Sequence, residues 1–408
     1  MSTAPIPGQN TTAPPVSPAI LGGEPAFPGK LHVGRPNLGN RDRLQARIDA
    51  ILDSNWLTND GPMVRELEQA IAAKTGVKNC VATCNGTMAL MLAAHALELS
   101  GEVILPSFTF IATAHALRWL GITPVFCDID PETHNIDPDR IEALITDRTS
   151  AIMGVHLWGR PSPTASLDAI AKRHGLKLLY DAAHAFGVSH QGRMIGSFGD
   201  AEVFSFHATK YIHSFEGGAV VTTNEALAEK MRLMRNFGFS GVDKVTLLGI
   251  NAKMPEVCAA MGLTSLESIG AFIGANRRND EAYREELRDF KGIAYFDYPE
   301  GCHPNFQYAI CEVDPSLCPL TRDELVTALQ AEGVLARRYF YPGCHRMEPY
   351  ASRATGNPEA LPQTDRVGAM VMALPTGCAV TPSDVAKIGT LLRTILAQAP
   401  AIRERLAR

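Results

Sequence analysis

Between residues 79 and 210 the chain alternates short apolar runs with longer stretches whose apolar positions recur at helical spacing. CVATC (80–84) runs into NGTMALMLAAHAL, where Asn85 stands in the N-cap position of a helix. EVILPS (102–107) leads to TFIATAHALRWLG, PVFCDID (124–130) to DPDRIEALITDRT, and AIMGVHLWG (151–159) to SPTASLDAIAKRHG. KLLYDAAH (177–184) and EVFSFHATK (202–210) follow as further strands. Short β-rich runs alternating with helices of about a dozen residues predict βαβ units and a mostly parallel sheet. Ligands of such sheets bind beyond the carboxyl ends of the strands, which is where these runs turn polar.

After Asn251 the texture changes. KMPEVCAAMGLTSLESIGAFIGANRRNDEAYREELRDF (253–290) reads as one long helix or a broken pair. FQYAICEV (306–313) and VLARRYF (334–340) are strand candidates, and TRDELVTALQAEG is a helix opened by a capping box from Thr321 to Glu324. A last helix starts at Thr381 with Pro382 in its first turn, where proline is tolerated. The pattern predicts a large α/β domain over 31–260 and a smaller α+β domain over 261–408, the changeover lying near 250–270. Residues 1–30 are rich in Pro, Ala, Thr and Gly and nearly uncharged. They hold too little apolar surface to offset their ordering entropy, which predicts a mobile arm or a peptide draped over a neighbour.

Composition narrows the class. The 408 residues are 46% hydrophobic and 20% charged with a net charge of -5, an ordinary globular balance without the basic stripe of a nucleic-acid binder. No apolar run approaches the roughly 20 residues that span a bilayer. The first basic residue is Lys30, so no basic region precedes an apolar stretch as in a secretory signal. The nine cysteines are scattered, with no paired C-x-x-C, which predicts reduced thiols in a cytoplasmic protein and no zinc site.

Two segments carry the chemistry. DAAHAFG begins with Asp181 at the end of a buried strand; FSFHATK ends with Lys210 and is followed at once by EGGAVV. A carboxylate and a lysine at strand ends suit pyridoxal phosphate. Its aldehyde needs an amine, and its ring nitrogen needs an acid partner that favours the protonated ring. A lone lysine, or a lone histidine such as His184 or His207, carries little by itself. The order carries the reading: helix N-terminus, aspartate, serine, lysine, then glycines, all on a parallel-sheet pattern.

From about Trp56 onward the chain resembles the pyridoxal-phosphate sugar aminotransferases of the DegT/StrS family, of fold type I. The resemblance rests on WLTNDGP, NGTMAL, PSFTFIATAHAL, DAAHAFG, GSFGDAEVFSFHATK, EGGAVVT and GINAKM. It implies that Lys210 is the Schiff-base lysine, Asp181 the carboxylate on the ring nitrogen, and His184 the neighbour of the phenolic oxygen. It also implies that Phe110 stacks on the ring, that Gly86, Thr87 and Ser205 hold the phosphate, and that Asn251 is delivered from a partner subunit, so that a homodimer shares its active sites. The implied reaction has two half-reactions: L-glutamate gives its nitrogen to the cofactor, and the cofactor aminates a ketone on a nucleotide-linked sugar.

HVGRPN, HALRW, VHLWGRP and YPGCHRMEPY look most like the branch that aminates dTDP-4-keto-6-deoxy-D-glucose at C4. C3 amination, a GDP or UDP carrier, or an idle cofactor-binding regulator are the alternatives; Lys210 stands where the related dehydratases carry histidine. Tyr211 and His213 sit in a loop that can approach the sugar. Arg337 and Arg338 read either as anion contacts or as exposed strand charges, and Trp56 and Trp158 either as pocket walls or as core aromatics.

Overall fold

The structure is a computed structural model that describes residues 17–351 and 361–408. Seven strands form the central sheet: β1 (Asn79–Thr83), β2 (Glu102–Pro106), β3 (Thr123–Cys127), β4 (Thr149–Val155), β5 (Lys177–Asp181), β6 (Ala201–Ser205) and β7 (Gly218–Thr222). Their spatial order is β1-β7-β6-β5-β4-β2-β3, and β7 alone runs against the others. β1, β2 and β7 are buried along their whole length, which explains why they read as continuous apolar runs rather than as alternation.

Helices cover both faces. α1 (Arg41–Ser54) and α2 (Pro62–Thr75) precede the sheet; α3 (Gly86–Ala96), α4 (Ala112–Trp119), α5 (Thr164–His174) and α6 (Glu225–Arg235) are its crossovers and flank. α3, α4 and α6 share one core cluster with Val81, Leu105, Leu179 and Val220. α2 packs with α7 (Glu256–Glu267) over the alternate residues Cys80, Ala82, Ala219 and Val221. DPDRIEALITDRT is two 3-10 turns, Pro138–Arg140 and Glu142–Leu144, instead of the expected helix. Asp137 caps the first turn through the Asp139 N–H, and the Thr146–Thr149 turn closes the segment before an α-helix can propagate.

The long helical stretch is a broken pair. α7 ends at Ser268 and α8 (Ile269–Leu287) leaves it at 60°. Phe272 of α8 belongs to the core beneath the sheet, whereas Tyr283 and Leu287 belong to a second core. That core lies between the antiparallel strands β8 (Ile293–Tyr295), β9 (Ala309–Val313) and β10 (Val371–Leu374) and the helices α9 (Arg322–Ala331), α11 (Pro382–Ala397) and α12 (Ala399–Leu406), with α10 (Pro362–Met370) leading into β10. The Thr321–Glu324 capping box is formed, and Thr381 makes a second one with Asp384. VLARRYF contributes only Val334–Leu335 to a strand pair, with Leu31–His32, and one bridge from Arg337 to Ala373.

The described part of the N-terminal arm packs against the second core. Phe27 is buried in the second core, and the Glu332 carboxylate accepts the Ala19 and Ala26 N–H groups at 2.7 and 2.9 Å. One buried aromatic and an anchored backbone supply what the composition of the arm withholds; residues 1–16 of that arm lie outside the described residues. Among the described residues no single helix is long and apolar enough to cross a membrane.

Candidate active site

Register brings the carboxyl ends of three adjacent strands together. Val155 of β4 pairs with Asp181 of β5, and Asp181 with Val203 of β6; all three line a cavity of about 330 Å³. α3 starts at the same edge. Asn85 is extended (φ -167°) and its side chain accepts the Met88 N–H at 2.8 Å, which leaves Gly86 and Thr87 to line the cavity with first-turn amides. A Cβ on Gly86 would lie 3.1 Å from the Ser205 Cβ, so the serine sits directly against that turn. A Cβ on Gly218 would come within 2.7 Å of the Asn85 carbonyl and the Gly86 nitrogen; β7 passes so close that only glycine fits. The second glycine of EGG is thus a packing requirement of the helix N-terminus, while the first, Gly217, packs against Ser214 and Met254.

Asp181 is buried, and its carboxylate accepts the Ala183 N–H at 3.1 Å and the Thr113 hydroxyl at 2.8 Å. Burial pushes its pKa up, while these two donors and the charge of Lys210 pull the other way. Thr113 is in turn 2.9 Å from the Thr109 hydroxyl, so a short relay from the loop before α4 into its first turn holds the carboxylate. His184 is buried, and burial holds its pKa well below the usual imidazole range. Its Nδ1 accepts the Trp158 N–H at 3.2 Å, which puts the proton of the neutral ring on Nε2. The ring lies parallel to Phe340 at 5.9 Å and meets Tyr308 edge-on at 4.8 Å.

Lys210 follows β6 on an irregular loop, and its Nζ donates to the Tyr308 hydroxyl at 3.2 Å. Burial lowers its pKa to about 8, with Asp181 opposing the shift. Phe110 lines the cavity and is 57% exposed, which leaves its ring face open to a ligand. Gly86, Thr87, Phe110, Asp181, His184, Ser205 and Lys210 therefore face one space. Asn251 does not: it is exposed and its backbone is bridged to Asn236, outside the cavity of its own chain. The next residue, Ala252, accepts the Cys84 N–H at 2.9 Å, so this segment crosses just beside the entry to α3.

Other expectations sort differently. Tyr211 and His213 turn inward, the phenol donating to the Phe186 carbonyl at 2.8 Å and the imidazole meeting the Asn37 carbonyl at 2.7 Å. They line no part of the cavity. Trp158 is core, with a left-handed backbone (φ 53°) that aims its N–H at His184, and Trp56 does not line the cavity and has Arg65 over its ring. Arg337 lines the cavity, whereas Arg338 faces Asp323 at 3.5 Å. All nine cysteines are free, and no His/Cys/Asp/Glu group among the described residues is arranged to hold a metal.

The small domain's wall escaped the sequence reading. Tyr308, Tyr339 and Phe340 close the cavity from that side, and Thr113 supports Asp181 from below. The aromatic density of RRYFY was the one local signal.

The cavity suits pyridoxal phosphate on its own terms. A helix N-terminus with a hydroxyl beside it favours a phosphate, a buried carboxylate favours a protonated ring nitrogen, and a buried amine of lowered pKa is a nucleophile for an aldehyde.

Comparison with known proteins agrees. The model of the DegT/DnrJ/EryC1/StrS aminotransferase family matches residues 40–393. The dTDP-4-amino-4,6-dideoxy-D-glucose transaminase of Shigella dysenteriae is 40% identical over 313 residues, 76% of this chain and 85% of that one. The GDP-perosamine synthase of Caulobacter vibrioides is 35% identical over 373 residues, 90% of this chain and 98% of that one. The crystal structure of DesI in the presence of its TDP-sugar product is similar at a TM-score of 0.92 with 50% identity, covering 96% of this chain and 99% of the other. With its carboxylate, lysine and helix N-terminus gathered at the sheet edge, the chain belongs to the DegT/DnrJ/EryC1/StrS aminotransferase family.

Proposed function

We propose that the protein transfers the amino group of L-glutamate to C4 of dTDP-4-keto-6-deoxy-D-glucose, giving dTDP-4-amino-4,6-dideoxy-D-glucose. The observation that carries this reading is half identity, along nearly the whole chain, to a protein whose product is a TDP-sugar. The Shigella transaminase points the same way. The similarity to the perosamine synthase supports a runner-up, 4-amination on a GDP carrier.

Pyridoxal 5'-phosphate is the cofactor, and when bound it supplies an electron-accepting ring and an aldehyde that carries nitrogen from donor to acceptor. Gly86, Thr87 and Ser205 would hold its phosphate. Asp181 would keep a proton at the ring nitrogen, with its carboxylate held by the Thr113 hydroxyl. His184 would offer its Nε2–H to the phenolic oxygen, and Phe110 an aromatic face to the ring. Lys210 would supply the amine for the aldehyde and a base placed to move a proton at the donor's α-carbon.

A homodimer that shares its sites completes the proposal, with Asn251 reaching the partner's phosphate. Supporting it, Phe237, Phe239, Leu248, Ile250 and Val257 are all exposed around Asn251, an apolar surface that an isolated chain leaves in water.

The test is product identity. Incubation with L-glutamate and dTDP-, GDP- and UDP-linked 4-keto and 3-keto sugars, read by mass spectrometry and NMR, should show amination at C4 of the dTDP sugar. Preference for the GDP sugar would favour the runner-up, and an amine at C3 would overturn the position. The lysine predicts a pH dependence as well. Only the neutral amine attacks an aldehyde, and its pKa lies at about 8. Capture of the cofactor by apoprotein, followed by absorbance, should therefore quicken as pH rises through about 8 and then level. A profile that climbs only near the ordinary lysine value of about 10.4 would contradict the burial of Lys210.

A further inference from the structure

Lys210 stands on the irregular loop between β6 and β7, outside every strand ladder. The loop closes on itself where the Lys210 N–H donates to the His207 carbonyl at 2.8 Å and the Ser214 N–H to the Phe206 carbonyl at 2.9 Å. Tyr211 and His213 lie between these two bonds, and the segment ahead of α1 reaches both. In that segment Leu31 and His32 pair with Val334 and Leu335 of the small domain. Gly34 then passes so close to the lysine loop that a Cβ on it would lie 3.1 Å from the Thr209 carbonyl oxygen.

Asn37 makes the join. It is buried, its amide donates to the Tyr211 carbonyl at 3.2 Å, and its side-chain oxygen accepts the Cys378 N–H at 3.1 Å. Its own carbonyl meets His213 Nε2 at 2.7 Å. Because His213 Nδ1 accepts the Phe215 N–H at 3.3 Å, the neutral ring donates to Asn37 from Nε2. One residue thus ties the lysine loop at two points and fastens it to the small domain. Tyr211 and His213 are buried as well, so loss of these partners leaves polar groups without a substitute. Asn37 also precedes residues 40–393, the stretch that the family model matches.

Resting on the aminotransferase reading, we propose that Asn37 is a positioning residue: by holding Tyr211 and His213 it sets where the Lys210 amine stands against the donor's α-carbon. The hydrogen bond to Tyr308 orients the tip of the lysine, and Asn37 fixes its root. A base displaced by about 1 Å loses on the order of a hundredfold in rate although no contact with the substrate is lost.

Holoenzyme of wild type, Asn37→Ala and Asn37→Asp is mixed with L-glutamate or its α-deuterated form, without sugar, and the half-reaction is followed by absorbance per bound cofactor. Hydrogen exchange of the same proteins is read by mass spectrometry. Asn37→Asp keeps the shape and the acceptor for Cys378 but sets an oxygen against the Tyr211 carbonyl, so it carries the test if alanine fails to fold. In both variants the rate at saturation should fall about ten- to a hundredfold, with half-saturating glutamate within about threefold of wild type. The α-deuterium effect should grow, because proton transfer becomes the slow step. Exchange should quicken in the 207–213 peptide and stay unchanged in the central sheet.

A wild-type rate in either variant overturns the proposal. So does a slower rate with no larger deuterium effect, or with faster exchange throughout the sheet, which marks general loosening. A raised half-saturation at unchanged rate would place Asn37 in donor binding and overturn it too. A wild type that forms no 2-oxoglutarate from glutamate defeats the aminotransferase reading itself; one that forms it, with the variants indistinguishable, defeats the Asn37 assignment alone.

Discussion

Lys210→Ala yields a folded protein that binds the cofactor without a covalent link and transfers no nitrogen. The side chain makes one hydrogen bond, to Tyr308, and belongs to none of the hydrophobic clusters, so its loss opens no core cavity. Its lowered pKa means that burial works against the cation in the native state; alanine removes that cost. The backbone N–H that donates to the His207 carbonyl survives the substitution. Circular dichroism and Tm should stay close to wild type, while turnover falls by about a thousandfold or more, because nucleophile and base disappear together. Borohydride treatment of the wild type should fix the cofactor to the peptide containing Lys210. A label on any other lysine sinks the assignment, and so does an alanine variant that still turns over.

The second large effect is a recovery. Lys210→Ala and Asn251→Ala chains, each impaired alone, should regain activity when mixed under conditions that let subunits exchange. If Asn251 reaches the partner's phosphate, a mixed dimer holds one site with both residues and one with neither, so recovery is at most half of a wild-type dimer. The same sharing links cofactor binding to dimerisation by mass action, so dilution should release cofactor. Asn251 lies outside the cavity of its own chain, on a segment bridged to Asn236 and flanked by exposed apolar side chains. No recovery, with exchange demonstrated by labelled subunits, places the asparagine in its own subunit and ends the shared-site model. The aminotransferase family assignment would stand.

The order of helices and strands, and the pair at the centre of the site, were legible along the chain because their signals are local. The apolar run of KLLYD marks a strand buried on both faces, and its polar end marks the sheet edge where Asp181 emerges. Asn85 and Thr321 cap their helices through backbone amides three residues away, so their roles are written within one turn. DPDRIEALITDRT departed from its pattern for a local reason, the Asp137 cap and the Thr146–Thr149 turn, whereas other features depend on long-range contacts. The N-terminal segment is anchored by Glu332 and a pocket for Phe27, more than 300 residues on, which no local composition reports. Tyr211 and His213 stand beside the lysine in sequence yet turn into the core, because carbonyls of Phe186 and Asn37 wait there. Tyr308 and Arg337 stand about a hundred residues or more from Lys210 and meet the cavity only because the small domain packs over the strand ends. Periodicity and caps state which face of an element is buried; they do not state which faces of two domains close on one space. The chain by itself marked most strands of the sheet and the helix N-terminus, and singled out Asp181 and Lys210, but not the antiparallel strand Gly218–Thr222. Tertiary packing alone decided the aromatic wall and Arg337, since a cavity is a property of the gap between elements and not of any one of them.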